Sequence, residues 1–153
     1  MSRALSIADQ MAVEALALPK IAASGSTVTV YRQQNIASEI QNAISKAKGA
    51  AVVIVWDGCD RPEETEQLKG DSLRVLSRYN VQLFYAPVLK PGGTTIDEIA
   101  EELMTHFDNW YPTEQAVSRD VWMRFRGAAL SPEDGWLLYE LAFDITIQFS
   151  NPN

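Results

Sequence analysis

In WLLYELAFDITIQF every second position is apolar. Leu137, Tyr139, Leu141, Phe143, Ile145, Ile147 and Phe149 fall on one side, and Glu140, Asp144, Thr146 and Gln148 on the other. A period of two is the mark of a strand with one buried face. The same period starts at Ser72, with Leu73, Val75, Tyr79, Val81, Leu83 and Tyr85 opposite Arg74, Arg78, Asn80 and Gln82. Ser77 interrupts that apolar row and predicts a bend; Pro87 and KPGG end the strand. TVTVYR predicts a short strand through Val28 and Val30. DVWMRFRGAAL turns Val121, Met123 and Phe125 inward and Trp122, Arg124 and Arg126 outward, before a turn at SPEDG. Val52 to Trp56 is apolar throughout, the pattern of a central strand.

Elsewhere the period is helical. Ser6 predicts the cap of a first helix, with Asp9 three residues on and Ile7, Met11, Ala15 and Leu16 as its stripe. Pro19 ends it, and ASGS follows as a flexible turn. A second helix starts near Asn35, buries Ile36, Ile40, Ala43, Ile44 and Ala47, carries Lys46 and Lys48 at its negative end and stops at Gly49. Thr95 and Glu98 form a capping box for a third, whose stripe is Ile96, Ile99, Ala100, Leu103, Met104 and Phe107, with NWYP at its end. DGCDRPEETEQLKGD, Asp57 to Asp71, reads as an exposed loop. The order α-β-α-β-β-α-β-β predicts a single α+β domain over residues 1–153. Its mostly antiparallel or mixed sheet of about five strands packs against about three helices, one face covered and the other wetter.

Composition agrees with a globular domain: 153 residues, 46% apolar, are enough to bury a core without a disulfide or structural metal. A single cysteine, Cys59, forms no internal bridge. Asp9 and Glu14 interrupt the apolar positions of MSRALSIADQMAVEALALPK, which is therefore not expected to be a secretory signal. No run approaches the roughly 20 apolar residues of a membrane span. The expectation is a soluble protein made in the cytoplasm, without membrane contact. The net charge of −7 argues against a broad phosphate-binding surface and suits a surface that repels DNA.

Candidate chemistry is sparse. Asp57 and Asp60 have the ligand type for Mg²⁺, and Glu63, Glu64 and Lys69 would complete a small metal-dependent hydrolase or nuclease. All sit in the expected loop, without the rigid platform such a site needs. Cys59 lacks an adjacent activating base, the sole histidine being His106 inside the third helix. KPGGTT resembles a phosphate loop only in its glycines, since the lysine precedes them. The expectation is no enzyme, no cofactor and no metal. Trp122, Arg124 and Arg126 share a face whose residue types favour a subunit contact; the alternative is a solvated strand face with a second layer over Trp122. Trp56, Trp110 and Trp136 stand at element ends, where a ring packs while its N–H finds a partner.

The segments NIASEIQNAISKAKGAAVVIVW, SLRVLSRYNVQLFYAP, TIDEIAEELMTHFDNW and GWLLYELAFDITIQF, from Asn35 to Phe149, resemble in order and style the tail terminator proteins of long-tailed bacteriophages. That family has no catalytic signature, so no residue role carries over. The resemblance implies a structural protein, a homo-oligomer of hexameric ring form on the last tail-tube ring. It ends tail polymerisation, meets the tube protein and a head-completion or connector protein, and lets DNA pass without specific binding. Its place would be the head–tail junction of the virion, after synthesis in the host cytoplasm. Another head–tail connector or accessory tail assembly protein is the alternative. For such a ring the expected contacts are Arg74, Arg78, Trp122, Arg124 and Arg126, facing the acidic run Glu63, Glu64 and Glu66 of a neighbour.

Overall fold

The computed structural model describes residues 3–32, 38, 41–42, 45–46, 49–60, 72–85, 94–113, 122–133 and 136–150, with the backbone alone at 72–74, 132–133, 136–137 and 148–150. Five strands form one mixed sheet: β1 Thr27–Val30, β2 Ala51–Asp60, β3 Ser72–Tyr85, β4 Arg124–Glu133 and β5 Trp136–Ser150, in the order β1-β2-β3-β5-β4. Three helices are delimited, α1 Arg3–Leu16, α2 Pro19–Ser24 and α3 Ile96–Phe107. The fold is α+β, as the alternation of periods predicts.

β1 and β2 run parallel, in register from Thr27 opposite Ala51 to Val30 opposite Ile54. A parallel pair needs a crossover. Within it the described residues Ser38, Gln41, Asn42, Ser45 and Lys46 are helical and exposed, the polar complement of the expected stripe. The stripe itself, Ile36, Ile40, Ala43, Ile44 and Ala47, lies outside the described residues. The remaining pairs are antiparallel. β3 and β5 match without interruption from Ser72 opposite Ser150 to Tyr85 opposite Leu137.

The core lies between one face of this sheet and the helices. Ile7 and Met11 of α1, Ile21 of α2, and Ile99, Leu103 and Phe107 of α3 are fully buried over Val52, Ile54, Val81, Leu83, Leu141, Phe143 and Ile147. The Tyr79 hydroxyl reaches across the layer and donates to the Ala4 carbonyl at 2.8 Å. The capping box is present in both directions, the Thr95 hydroxyl accepting from Glu98 N–H and the Glu98 carboxylate from Thr95 N–H.

Several expectations change. α1 begins at Arg3, so Ser6 lies inside its first turns and is no cap; Ala4 is already buried there and extends the stripe backward. α1 stops at Leu16, before Pro19, which opens α2 at its first turn, where a missing N–H costs nothing. ASGS is no flexible turn. Ser24 closes α2, Gly25 caps it at φ 71°, and both serines are buried. Their hydroxyls form a chain: Ala50 N–H donates to Ser26 Oγ, Ser26 Oγ lies 2.6 Å from Ser24 Oγ, and Ser24 Oγ donates to the Ile21 carbonyl. Gly49 sits against this chain so closely that a Cβ would come 2.7 Å from Ser26 Oγ. SPEDG is not wholly a turn either, because Ser131 to Glu133 still belong to β4.

The largest correction concerns Asp57 to Asp60. β2 continues through them, so they are strand and not loop; residues 61–71 lie outside the described residues. Trp56 pairs with Tyr79 and Cys59 with Ser77, which leaves one extra residue on β2. Gly58, at φ 89°, takes up the resulting bulge in a conformation that favours glycine. The irregularity expected at Ser77 is therefore carried by the opposite strand.

Candidate functional site

The face of the sheet away from α1, α2 and α3 holds most of the described candidates. At its β2 end it is closed: Ala51 and Val53 alternate with Val52 and Ile54, point the other way, and are equally buried. Toward β5 and β4 it opens. Ala142, on a strand paired on both sides, is exposed, as are Arg78, Arg124, Arg126 and Ala129. A single wet face was expected; in fact wetness is a gradient across the same face.

On the open part the charges alternate. Arg78 and Asp144 are register partners on β3 and β5, and Arg124 stands opposite Asp144 on β4. Arg78 Nη1 lies 2.7 Å from Asp60 Oδ2. A second bulge, between Phe125 and Gly127, makes Arg126 the extra residue of β4 and turns its guanidinium onto Asp144, Nε to Oδ2 2.6 Å. Asp144 is buried, and this hydrogen bond raises the Arg126 pKa further. The Asp60–Arg78 pair is about half exposed at both ends and adds little to stability. Below this row the Gln82 amide reaches Glu140 at 3.5 Å, and Asn80 Oδ1 is buried without a partner among the described residues.

Trp122 is positioned by the end of α3. The chain leaves Asp108, adopts a left-handed conformation at Asn109 (φ 61°), and makes a bridge between Trp110 and Met123. Asn109 N–H donates to the Met123 carbonyl at 2.7 Å, Met123 N–H to the Trp110 carbonyl at 2.8 Å, and Phe125 N–H to Asp108 Oδ1 at 3.1 Å. Met123 is thereby fully buried and its neighbour Trp122 is turned out, 45% exposed, with its ring edge-on to Tyr111 at 5.3 Å. Arg124, beside it, is exposed and in no ion pair among the described residues.

Of the expected contact residues, the structure thus gathers Arg78, Trp122, Arg124 and Arg126 at one end of the sheet, but commits Arg78 and Arg126 to acids of their own chain. The side chain of Arg74, and all of Glu63, Glu64 and Glu66, lie outside the described residues, as does Lys69. Asp144 was legible as a polar strand position, but no pattern in the sequence signalled that it would anchor Arg126.

Of the catalytic candidates, Asp57, Cys59 and Asp60 are exposed along the end of β2, and Glu63, Glu64 and Lys69 lie outside the described residues. Asp60 is held by Arg78. His106 faces α1, where Glu14 Oε1 lies 3.1 Å from its Nε2 while Glu14 Oε2 accepts from Trp110 Nε1 at 2.7 Å. Among the described residues no three His, Cys, Asp or Glu side chains are grouped to hold a metal, and no helix is long and apolar enough to cross a membrane. Trp56 and Trp110 do find partners for their N–H groups, Ser77 Oγ at 2.9 Å and Glu14; Trp56, however, sits within β2 at its bulge and not at the strand's end. The side chain of Trp136 lies outside the described residues. No protein-family model matches the chain, and no curated protein matches it.

Proposed function

We propose that this chain is a structural subunit of a bacteriophage tail, which caps the tail tube as a ring, ends its polymerisation and offers a surface for head joining. The observation that carries the reading is the open end of the sheet. There an acidic chain presents an exposed Trp122 and an exposed Arg124 side by side on backbone pinned to α3. Aromatic and arginine side chains on a rigid support are the usual anchors of a protein contact. A ring needs one patch of each subunit to meet a different patch of the next. With −7 on every copy, a basic group on that patch favours register with an acidic neighbour.

The test uses Trp122→Ala combined with Arg124→Gln, since an acid at 124 would stand directly opposite the buried Asp144. Arg126 is left alone, because its removal would strand the buried Asp144. Mixed with polymerising tail-tube protein, the unaltered chain should form closed rings by electron microscopy and fix tail length. The double variant should unfold at the same temperature yet cap tubes at least about tenfold less well. Normal capping by the double variant, or an unaltered chain that never engages tube ends, would end this reading.

A further inference from the structure

The sheet has two edges. β1 closes one with four residues; β4 forms the other with ten, and among the described residues no strand lies beyond it in the sheet. On an edge strand every second residue turns its N–H and C=O away from the sheet, ready to pair with another strand. Bulges, prolines and charges usually blunt such edges. β4 has a bulge at Arg126 and a proline at Pro132, but these bracket Gly127 to Ser131 without interrupting it. Inside that window there is no charged residue, and Ala128, Ala129 and Leu130 are exposed, Leu130 to 50%. A Cβ added at Gly127 would meet nothing within 4 Å.

The charges around the window are ordered. Arg124 and Arg126 precede it, and Glu133 follows it. When two copies of one strand pair antiparallel, the start of each faces the end of the other. Two β4 strands paired about Ala129 would set Gly127 against Ser131 and Ala128 against Leu130. Each copy's basic end would then meet its partner's acidic end. Arg126 is held by Asp144 and, as the extra residue of its bulge, drops out of the count, so position 124 falls opposite position 133. The β1 edge, TVTV, carries no charge order to match.

We propose that the β4 edge pairs with the same edge of a second copy, joining two sheets into one across a twofold axis. The contact is isologous and closes at two, unlike the head-to-tail contact of a ring; it competes with that contact for Arg124 and rests on the β4 edge, not on the ring reading. Sedimentation equilibrium of the full chain over a concentration series should show a dimer, and the amides of Gly127 to Ser131 should exchange more slowly as concentration rises. Ala129→Lys and Ala129→Glu each place like charges together at the axis and should each weaken the dimer, the glutamate by about tenfold or more and the lysine by less, because Glu140 stands opposite 129 in its own chain. Mixed in equal amounts they should restore it as a heterodimer, which a folding defect would not allow. A chain monomeric at every concentration, a dimer indifferent to both substitutions, or variants that mixing fails to rescue would each overturn the proposal. The last result would point to pairing with a different edge, such as β1. A chain that dimerises through β4 and caps no tubes leaves this proposal standing and removes the ring; one that caps tubes and never dimerises does the reverse.

Discussion

Val53 and Ala142 lie on the same face of the same sheet, yet the first is sealed and the second open. The difference follows from connectivity. β1 and β2 are parallel, and a parallel connection brings chain across the sheet; β3, β5 and β4 are antiparallel, which places no such demand. The sequence marks the contrast in two ways: VVIVW is unbroken, as a strand buried on both faces must be, whereas WLLYELAFDITIQF alternates. The sealed end is suited to holding the domain together. The open end is free to carry charges, bulges and an exposed tryptophan.

Substitutions on the two ends sharpen that contrast. Val53→Asp buries an unpaired carboxylate and should cost more than about 4 kcal/mol, enough to abolish cooperative unfolding; a well-folded variant would show that the sealed end is not sealed. Tyr79→Phe should cost about 1 kcal/mol at neutral pH, because the Ala4 carbonyl loses its donor. It should also change the alkaline limb. Burial pushes the Tyr79 phenol well above the tyrosine range, so the folded protein keeps it neutral while the unfolded chain ionises. Its contribution is complete below pH of about 10 and declines above it by about 1.4 kcal/mol per unit. Denaturation profiles from pH 8 upward, to about pH 11, should be shallower for the phenylalanine variant. Thr95→Ala removes half of the capping box and should cost about 1 kcal/mol, read from urea midpoints at unchanged slope. Smallest of all, Ala142→Lys on the open end should change stability by no more than about 0.5 kcal/mol. A loss several times larger would mean that something covers this face in the isolated chain.

The periodicities of α3, β3 and β5 were legible because each element has one partner layer and a long enough run to repeat. The Thr95–Glu98 box was legible because it is purely local. The remaining features depend on groups far apart in the chain. Asp57 to Asp60 look like loop by composition, and only pairing with Ser77 and Leu76 keeps them in β2, with Gly58 absorbing the extra residue. Ser24 and Ser26 look like turn residues, but their buried hydroxyls are bonded to each other and to Ala50. Of the candidate site, alternation found Trp122 and Arg124. It did not find that a bulge would turn Arg126 onto Asp144, because a period of two carries no information about where a strand slips.

The unbroken ladder between β3 and β5 has a consequence for how the chain is made. Ser72 pairs with Ser150 and Tyr85 with Leu137, partners separated by α3 and β4. Loops of such length must close before the central pair gains any contact, which slows folding. During synthesis β3 leaves the ribosome well before β5, at about 5–20 residues per second. For several seconds its Val75, Val81 and Leu83 row therefore waits with only β2 beside it, exposed to whatever else is sticky in the cell. Occupancy by a holding chaperone, measured on stalled nascent chains extended at the C-terminus, should peak when β3 has left the exit tunnel and β5 has not, and fall once Ser150 has emerged.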